Sequence, residues 1–218
     1  IARGIEGMTD HDARLLDAVR RCFARQYTYR AIAYRAENGF DHFKVFLSVG
    51  IMKMVRSDLA CSGVTFSLDT ETGFRDVVFV TGAYGLGENV VQGTVDPDEF
   101  YVFKPTCRSG SRAVLRRTLG TKEIKMVYSG AAAGDTTHNV PTPQVDRDRF
   151  CLSDDEVLQL ADAAMRIEDH YSQKAGHPVP MDIEWAKDGL DGLLYMVQAR
   201  PETVASRKSA AMFDEFYL

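Results

Sequence analysis

The chain has 218 residues, 45% of them hydrophobic and 26% charged, as expected for an ordinary globular protein with one domain or two small ones. The formal net charge of -5 argues against a general nucleic-acid-binding surface, and no apolar run is long enough to span a bilayer. The four cysteines are widely spaced and form no CxxC pair, which argues against a zinc or redox motif and favours reduced thiols in the cytoplasm.

The first part of the chain has helical spacing that gives way to strand-like alternation. Apolar residues from Leu15 to Phe23 recur at the period of a helix, and residues 28–35 predict a second helix or a continuation of the first. From Phe43 to Val49 apolar residues occupy every second position, which predicts a strand. A second short apolar run follows at residues 51–55.

The middle of the chain is rich in strand signals. The glycines of Tyr84-Gly85-Leu86-Gly87-Glu88 follow one strand and indicate a tight turn or a close backbone approach to a ligand. They do not fit a Rossmann fingerprint, which needs a third glycine at fixed spacing. Residues 129–148 are polar and rich in turn formers, so they predict an exposed loop. The strand candidates cover residues 63–68, 76–81, 100–103 and 124–128.

A long helix precedes the last part of the chain. Ser153 followed three residues later by Glu156 is a capping box, and apolar residues then recur at helical spacing to about Tyr171. Helices mixed with strands that are joined by turns and hairpins predict an α+β fold with a largely antiparallel sheet.

A polar hairpin is the strongest functional signal in the chain. Two alternating runs flank a loop with two Asp-Gly pairs, which predicts antiparallel strands near residues 180–187 and 193–200. If Lys187 pairs with Leu193, even-numbered residues oppose even-numbered residues, and Trp185 takes the other face. The polar residues that then share one face are Asp182, Glu184, Gln198 and Arg200.

That polar face has a chemical use. Carboxylate and amide oxygens suit magnesium, which takes few protein ligands and completes its coordination shell with phosphates and water. The arginine beyond the amide can bind the same phosphates with its forked guanidinium. The alternative from the pattern alone is a hairpin with one solvated polar face.

Several motifs together resemble the phosphoenolpyruvate synthase family of dikinases. The resemblance extends over nearly the whole chain and is weakest at residues 129–148. The family's closing motifs are shared with other dikinases, whereas Pro-Asp-Glu-Phe-Tyr and Met-Asp-Ile-Glu-Trp-Ala-Lys-Asp-Gly indicate the synthase itself. The matching segments are residues 40–59, 62–74, 84–101, 181–185 and 198–203.

The resemblance implies an ATP-grasp domain that binds ATP and magnesium, with residues 1–204 as its C-terminal portion. By match to the family's motifs, Glu184 and Gln198 are magnesium ligands, Asp182 is a supporting carboxylate and Arg200 is the catalytic, phosphate-binding arginine. Glu88 corresponds to an acid near the ribose and phosphates. The segment beside the adenine corresponds to Met54 and Val55.

The resemblance also implies partners in a longer enzyme. The family passes a phosphoryl group from ATP to a histidine on one domain and then to pyruvate on another, and residues 205–218 would begin the linker to them. Family segments with a phosphate-binding lysine and a further arginine do not occur in the sequence. Together with the missing initiator methionine, this predicts a piece of a longer enzyme that is inactive alone. The resemblance further implies a cytoplasmic enzyme whose full-length chain can form a homodimer.

Two other functions stay open on sequence alone. The intact enzyme could be another dikinase, such as pyruvate phosphate dikinase or an antibiotic phosphotransferase, because the acceptor domain decides the substrate. A noncatalytic nucleotide-binding module is the alternative outside enzymes.

Overall fold

The computed structural model describes residues 10–111, 113–129 and 137–203, which fall into two units that divide after Met54. The predicted linker at residues 205–218 lies outside the described residues. Within the described ranges, none of the helices combines the length and apolar character that a membrane span requires.

The first unit is helical. Helix α1 spans Asp10–Ala24, a short 3-10 helix spans Arg25–Tyr27, and α2 spans Tyr29–Glu37. The side chain of Thr28 caps α2 by accepting a hydrogen bond from the backbone N–H of Ala31. The helices predicted from the spacing are therefore confirmed.

The strand predicted at residues 43–49 is wrong, and the apolar run at residues 51–55 also lacks regular structure. Alternating apolar residues are compatible with a β-strand, but a strand is stable only when a neighbouring strand is hydrogen-bonded to it. None of the strands in the described part of the chain pairs with these residues. Phe43 and Phe46 are each 90% exposed as a result.

The second unit is built on a six-stranded sheet whose neighbouring strands are all antiparallel, in the order β4-β3-β2-β1-β7-β8. The predicted α+β architecture with a largely antiparallel sheet is confirmed. The strands are β1 (Cys61–Phe66), β2 (Val77–Tyr84), β3 (Asp98–Phe103), β4 (Val114–Thr118), β7 (Met181–Lys187) and β8 (Leu194–Pro201).

One face of this sheet is covered by a long helix, α6 (Asp154–Ala175). Val80 and Phe100 of the sheet and Leu160 of α6 are at most 1% exposed and belong to the same core cluster. The predicted capping box is present, and Gly176 ends the helix in a left-handed conformation with φ 76°. Since α6 and the core occupy one face, the opposite face is left for a site.

A second, two-stranded sheet consists of β5 (Ile124–Tyr128) and β6 (Thr137–Pro141). The prediction of a loop over residues 129–148 is therefore wrong in part, because β6 and a short helix, α5 (Gln144–Arg147), lie within it. The sequence of β6 is mostly polar and lacks the apolar alternation that indicates a strand. The strand forms because it pairs with β5, not because its side chains are buried.

Gly85 joins the large sheet to the small one. It has φ 88°, and a Cβ at this position would lie 2.6 Å from the carbonyl oxygen of Met126 in β5. The tight-turn interpretation of this glycine therefore has a physical reason, which is close backbone packing against the second sheet. Two further short elements are α3 (Glu88–Val91) and α4 (Lys104–Arg108).

An ion pair links α6 to the functional hairpin. Lys187 Nζ lies 2.5 Å from Glu156 Oε1. Burial alone would raise the pKa of the Glu156 carboxyl, but hydrogen bonds from Lys187 and from the Ser153 backbone outweigh it and lower that pKa. A lowered folded-state pKa means stability that is present at neutral pH and is lost as the pH falls through that pKa.

We therefore expect Glu156→Gln, which keeps the capping acceptor, to lower the free energy of unfolding by about 1 kcal/mol at pH 7. The cost should shrink as the pH falls below the ordinary carboxyl value of 4.5, because the wild-type protein loses the same charge. Urea unfolding at several pH values measures this, with exposed Asp155→Asn in the same helical turn as control. A cost that does not change with pH would contradict the role of the ion pair.

Candidate functional site

The hairpin forms as predicted. Strands β7 and β8 pair antiparallel, with Asp182 opposite Arg200 and Glu184 opposite Gln198. Directly opposed residues in an antiparallel pair point to the same face, so the four polar side chains share one side of the sheet. Trp185 lies on the other side, is 1% exposed and belongs to the core cluster beneath α6.

The register next to the turn differs from the prediction. Lys187 pairs with Leu194 rather than Leu193, and Trp185 pairs with Met196. That slip alone would move Gln198 away from Glu184, but a bulge between the Glu184 and Trp185 pairs leaves Val197 as an extra residue in β8. The bulge restores the even-to-even pairing, so the grouping survives although the predicted turn register is wrong.

The polar group lies beside an apolar strip of the sheet. In β1, Val64 is opposite Glu184 and Phe66 is opposite Asp182. Together with residues of α3 and the chain after it, these side chains form a cavity of about 260 Å³. The cavity is lined by Val64, Phe66, Thr81, Val90, Val91, Gly93, Val95, Pro97, Asp182, Glu184 and Arg200.

Asp182 holds the arginine of the site. Its Oδ2 accepts a hydrogen bond from Nε of Arg200 at 2.8 Å and lies 2.8 Å from Nη2 in the same ion pair. The hydrogen bond to Asp182 raises the pKa of the Arg200 guanidinium, with a smaller contribution from the charge of Glu184. The arginine is therefore a fixed positive charge with further N–H groups for a ligand.

Glu184 and Gln198 have side-chain oxygens that are available to a ligand. Within the described ranges, neither side chain makes a hydrogen bond or an ion pair, whereas Asp182 is engaged with Arg200. Two adjacent oxygen donors without protein partners fit a magnesium ion that takes its other ligands from phosphates and water. No cluster of three or more His, Cys, Asp or Glu side chains suited to a metal occurs in the part of the chain that the structure describes.

Three predicted site residues lie outside the hairpin. Glu88 begins α3, is exposed and accepts a hydrogen bond from Gln92 Nε2 at 2.8 Å. Val55 is half-buried in the second unit, and Met54 is 65% exposed in the first. The adenine role of these last two residues and the ribose role of Glu88 stay predictions.

Sequence reasoning missed the apolar wall of the cavity. In the sequence, the only sign of this wall is the pair Val90 and Val91 after the glycine turn. These residues lie in a helix of four residues, which is too short to show helical periodicity. Phe66 and Thr81 were assigned to strands, but their neighbours across the sheet depend on pairings that the sequence does not encode locally.

Comparison with known proteins places these features in a family. Residues 8–217 match the family model described as "Pyruvate phosphate dikinase, AMP/ATP-binding domain". The chain is 56% identical over 204 residues to the phosphoenolpyruvate synthase of Synechocystis sp., which covers 94% of the chain and 25% of that relative.

More distant relatives have the same name. The phosphoenolpyruvate synthase of Helicobacter pylori is 53% identical over 215 residues, covering 97% of the chain and 26% of the relative. That of Pyrococcus furiosus is 37% identical over 201 residues, covering 90% of the chain and 23% of the relative. The chain thus spans about a quarter of the length of the curated relatives it matches.

Proposed function

The chain belongs to the pyruvate phosphate dikinase AMP/ATP-binding domain family, and from that premise we propose that it is the ATP- and magnesium-binding part of a phosphoenolpyruvate synthase with an ATP-grasp fold. The whole enzyme would convert pyruvate, ATP and water to phosphoenolpyruvate, AMP and phosphate. The relatives above, all named phosphoenolpyruvate synthase, favour this dikinase over others.

One observation supports the proposal most strongly. The uncommitted oxygen donors of Glu184 and Gln198 stand opposite each other, next to the paired Asp182 and Arg200, on the face of the sheet that α6 does not cover. Water alone would satisfy a free carboxylate and a free amide on a solvated face, so the support comes from their grouping with a fixed guanidinium beside a cavity. A site for a metal-bound polyphosphate needs that combination.

The roles of the residues follow from these contacts. Arg200 would bind phosphate oxygens and stabilise negative charge on the transferred group, while Asp182 keeps its guanidinium in position. Glu184 and Gln198 would hold magnesium, which when bound neutralises charge on the phosphates. The histidine that accepts the phosphoryl group would come from another domain of the full-length chain, so this chain alone should not form phosphoenolpyruvate.

The magnesium role gives a direct test in the full-length enzyme. We expect Glu184→Gln to weaken magnesium-ATP binding by about 10–100-fold, because it removes a charged oxygen ligand. Binding of magnesium-free ATP should change by less than about threefold, since the ligand role is then absent. Calorimetric titration of each variant with ATP, with and without magnesium, measures both.

Glu99→Gln is the matched control. Glu99 lies in the same cross-strand row as Glu184, three strands away along Thr81 and Val64. The control removes the same charge from the same sheet and should leave both affinities within about twofold. Equal weakening of ATP binding with and without magnesium in Glu184→Gln would refute the metal role.

A further inference from the structure

The first unit contains a large cavity that the ATP site does not use. It has a volume of about 900 Å³ and lies between α2 and the chain that follows it. Tyr34, Phe40 and Val45 contribute apolar lining, and Arg35 contributes a guanidinium. A cavity of this size with one buried polar group among apolar side chains has the usual character of a binding site.

Arg35 is the unusual residue of this cavity. It is only 6% exposed, its Nε donates to Nδ1 of His42 at 2.9 Å, and its Nη2 donates to the carbonyl oxygen of Gln26 at 2.7 Å. An imidazole cannot supply the negative charge that would balance the guanidinium. Glu37 also lines the cavity, but among the described residues no carboxylate makes an ion pair with Arg35.

A buried guanidinium without a carboxylate is an expensive arrangement, because both its partners here are neutral. The group has further N–H donors that match the two oxygens of a carboxylate. Thr28, Arg30 and Glu37 also line the cavity, but they are exposed, and the rest of the lining is mainly apolar. The complementary ligand for the buried Arg35 therefore has one carboxylate between apolar groups.

The surroundings favour a polypeptide over a small acid. Residues 43–49 alternate like a strand but pair with none of the described strands. The N–H groups of Phe43 and Lys44 and the carbonyl of Val45 already have partners in the first unit, so residues 46–49 are the part that can accept an added strand. The apolar surface also continues beyond the cavity, because Phe43 and Phe46 are each 90% exposed and Tyr29 is 88% exposed. Such a surface is larger than a small acid would cover.

We propose that this cavity is a docking site for an extended polypeptide segment that presents one carboxylate between apolar side chains. Arg35 binds the carboxylate, and residues 46–49 receive the backbone of the segment. The length of the relatives, of which this chain spans about a quarter, leaves ample polypeptide in which such a segment can occur.

The test uses a synthetic probe and the 218-residue protein. The peptide acetyl-Ser-Val-Thr-Glu-Thr-Val-Ser-amide, when extended, carries glutamate between two valines on one face. Its partner peptide has glutamine in place of glutamate. By calorimetry we expect the glutamate peptide to bind the wild-type protein about tenfold or more tightly than the glutamine peptide, since it alone forms the charged pair.

Two variants identify the residue responsible. Arg35→Gln should abolish the preference for glutamate, whereas Arg20→Gln, which removes an exposed charge from α1, should retain it. The comparison of the two peptides on the wild-type protein does not depend on whether Arg35→Gln folds. Equal binding of both peptides, binding of neither at millimolar concentration, or an undiminished preference in a folded Arg35→Gln overturns the proposal. Binding of 3-methylbutanoate as tightly as the peptide would show a small-acid site and also overturn it.

Discussion

Replacing Asp98 with asparagine is expected to lower the free energy of unfolding of the second unit by about 3–5 kcal/mol. Asp98 and Lys122 form an ion pair in which both side chains are completely buried. The Asp98 carboxylate also accepts hydrogen bonds from the backbone N–H groups of Gly120, at 2.9 Å, and Cys151, at 2.8 Å. Its loss leaves a buried ammonium whose remaining partner is the carbonyl oxygen of Gly120.

This cost reflects position as well as charge. The carboxylate ties the start of β3 to the loop at residues 119–123 and to the chain just before α6. Lys122 has φ 42°, a conformation that few residues other than glycine adopt, so the contacts of this loop maintain a strained backbone.

Urea unfolding measures the effect, and Asp96→Asn is the control. Asp96 is exposed and accepts one hydrogen bond, from the Thr121 backbone N–H at 2.9 Å, so its replacement should cost about 1 kcal/mol or less. The double variant Asp98→Asn with Lys122→Met should be more stable than the sum of the single effects predicts, because no unpaired ammonium stays buried. A cost for Asp98→Asn no larger than for Asp96→Asn would contradict the account.

Replacing Trp185 with alanine is expected to cost about 3–5 kcal/mol of unfolding free energy. The indole is 1% exposed and fills the space over Gly82, where a Cβ would lie 3.0 Å from its ring. The strand it belongs to also carries Glu184 on the other face, so loss of the ring removes packing from beneath the site.

Trp185→Phe separates volume from hydrogen bonding. The indole Nε1 makes no hydrogen bond within the described residues, so phenylalanine loses volume but leaves no polar partner unsatisfied. We expect it to cost about 1–2 kcal/mol, well below the alanine variant. Because Trp185 is the only tryptophan, unfolding is followed by circular dichroism. A neutral alanine variant would refute the packing role.

The hairpin shows what the sequence could predict. The period of two in each strand was enough to assign faces, and it placed Asp182, Glu184, Gln198 and Arg200 together. The bulge at Val197 could not be predicted from the sequence. Its position depends on two conditions that must hold together, the geometry of the turn and the packing of β8 against the core. The right grouping therefore came from a turn register that is wrong by one residue.

Other features depend on contacts between distant residues. Asp98 and Lys122 are 24 positions apart, and no local pattern indicates that these charges meet in the core. The same limit explains residues 43–49, where the alternation was read correctly but the neighbouring strand that would make it a strand is absent from the described residues. The spacing of apolar residues indicates which side chains share a face of a segment. Hydrogen bonding to a neighbouring strand decides whether that segment becomes part of a sheet.

If the face of Glu184 and Gln198 holds metal-bound ATP, a paramagnetic ion can locate the metal there. In the ¹⁵N-labelled 218-residue protein with ATP, manganese in place of magnesium should broaden amide signals most strongly at residues 182–184 and 198–200, with magnesium-ATP as the diamagnetic control. Amides of the acidic first turn of α6, near Asp154 and Asp155, should broaden far less. Broadening centred on that turn, or none near the hairpin at millimolar manganese-ATP, would contradict the account.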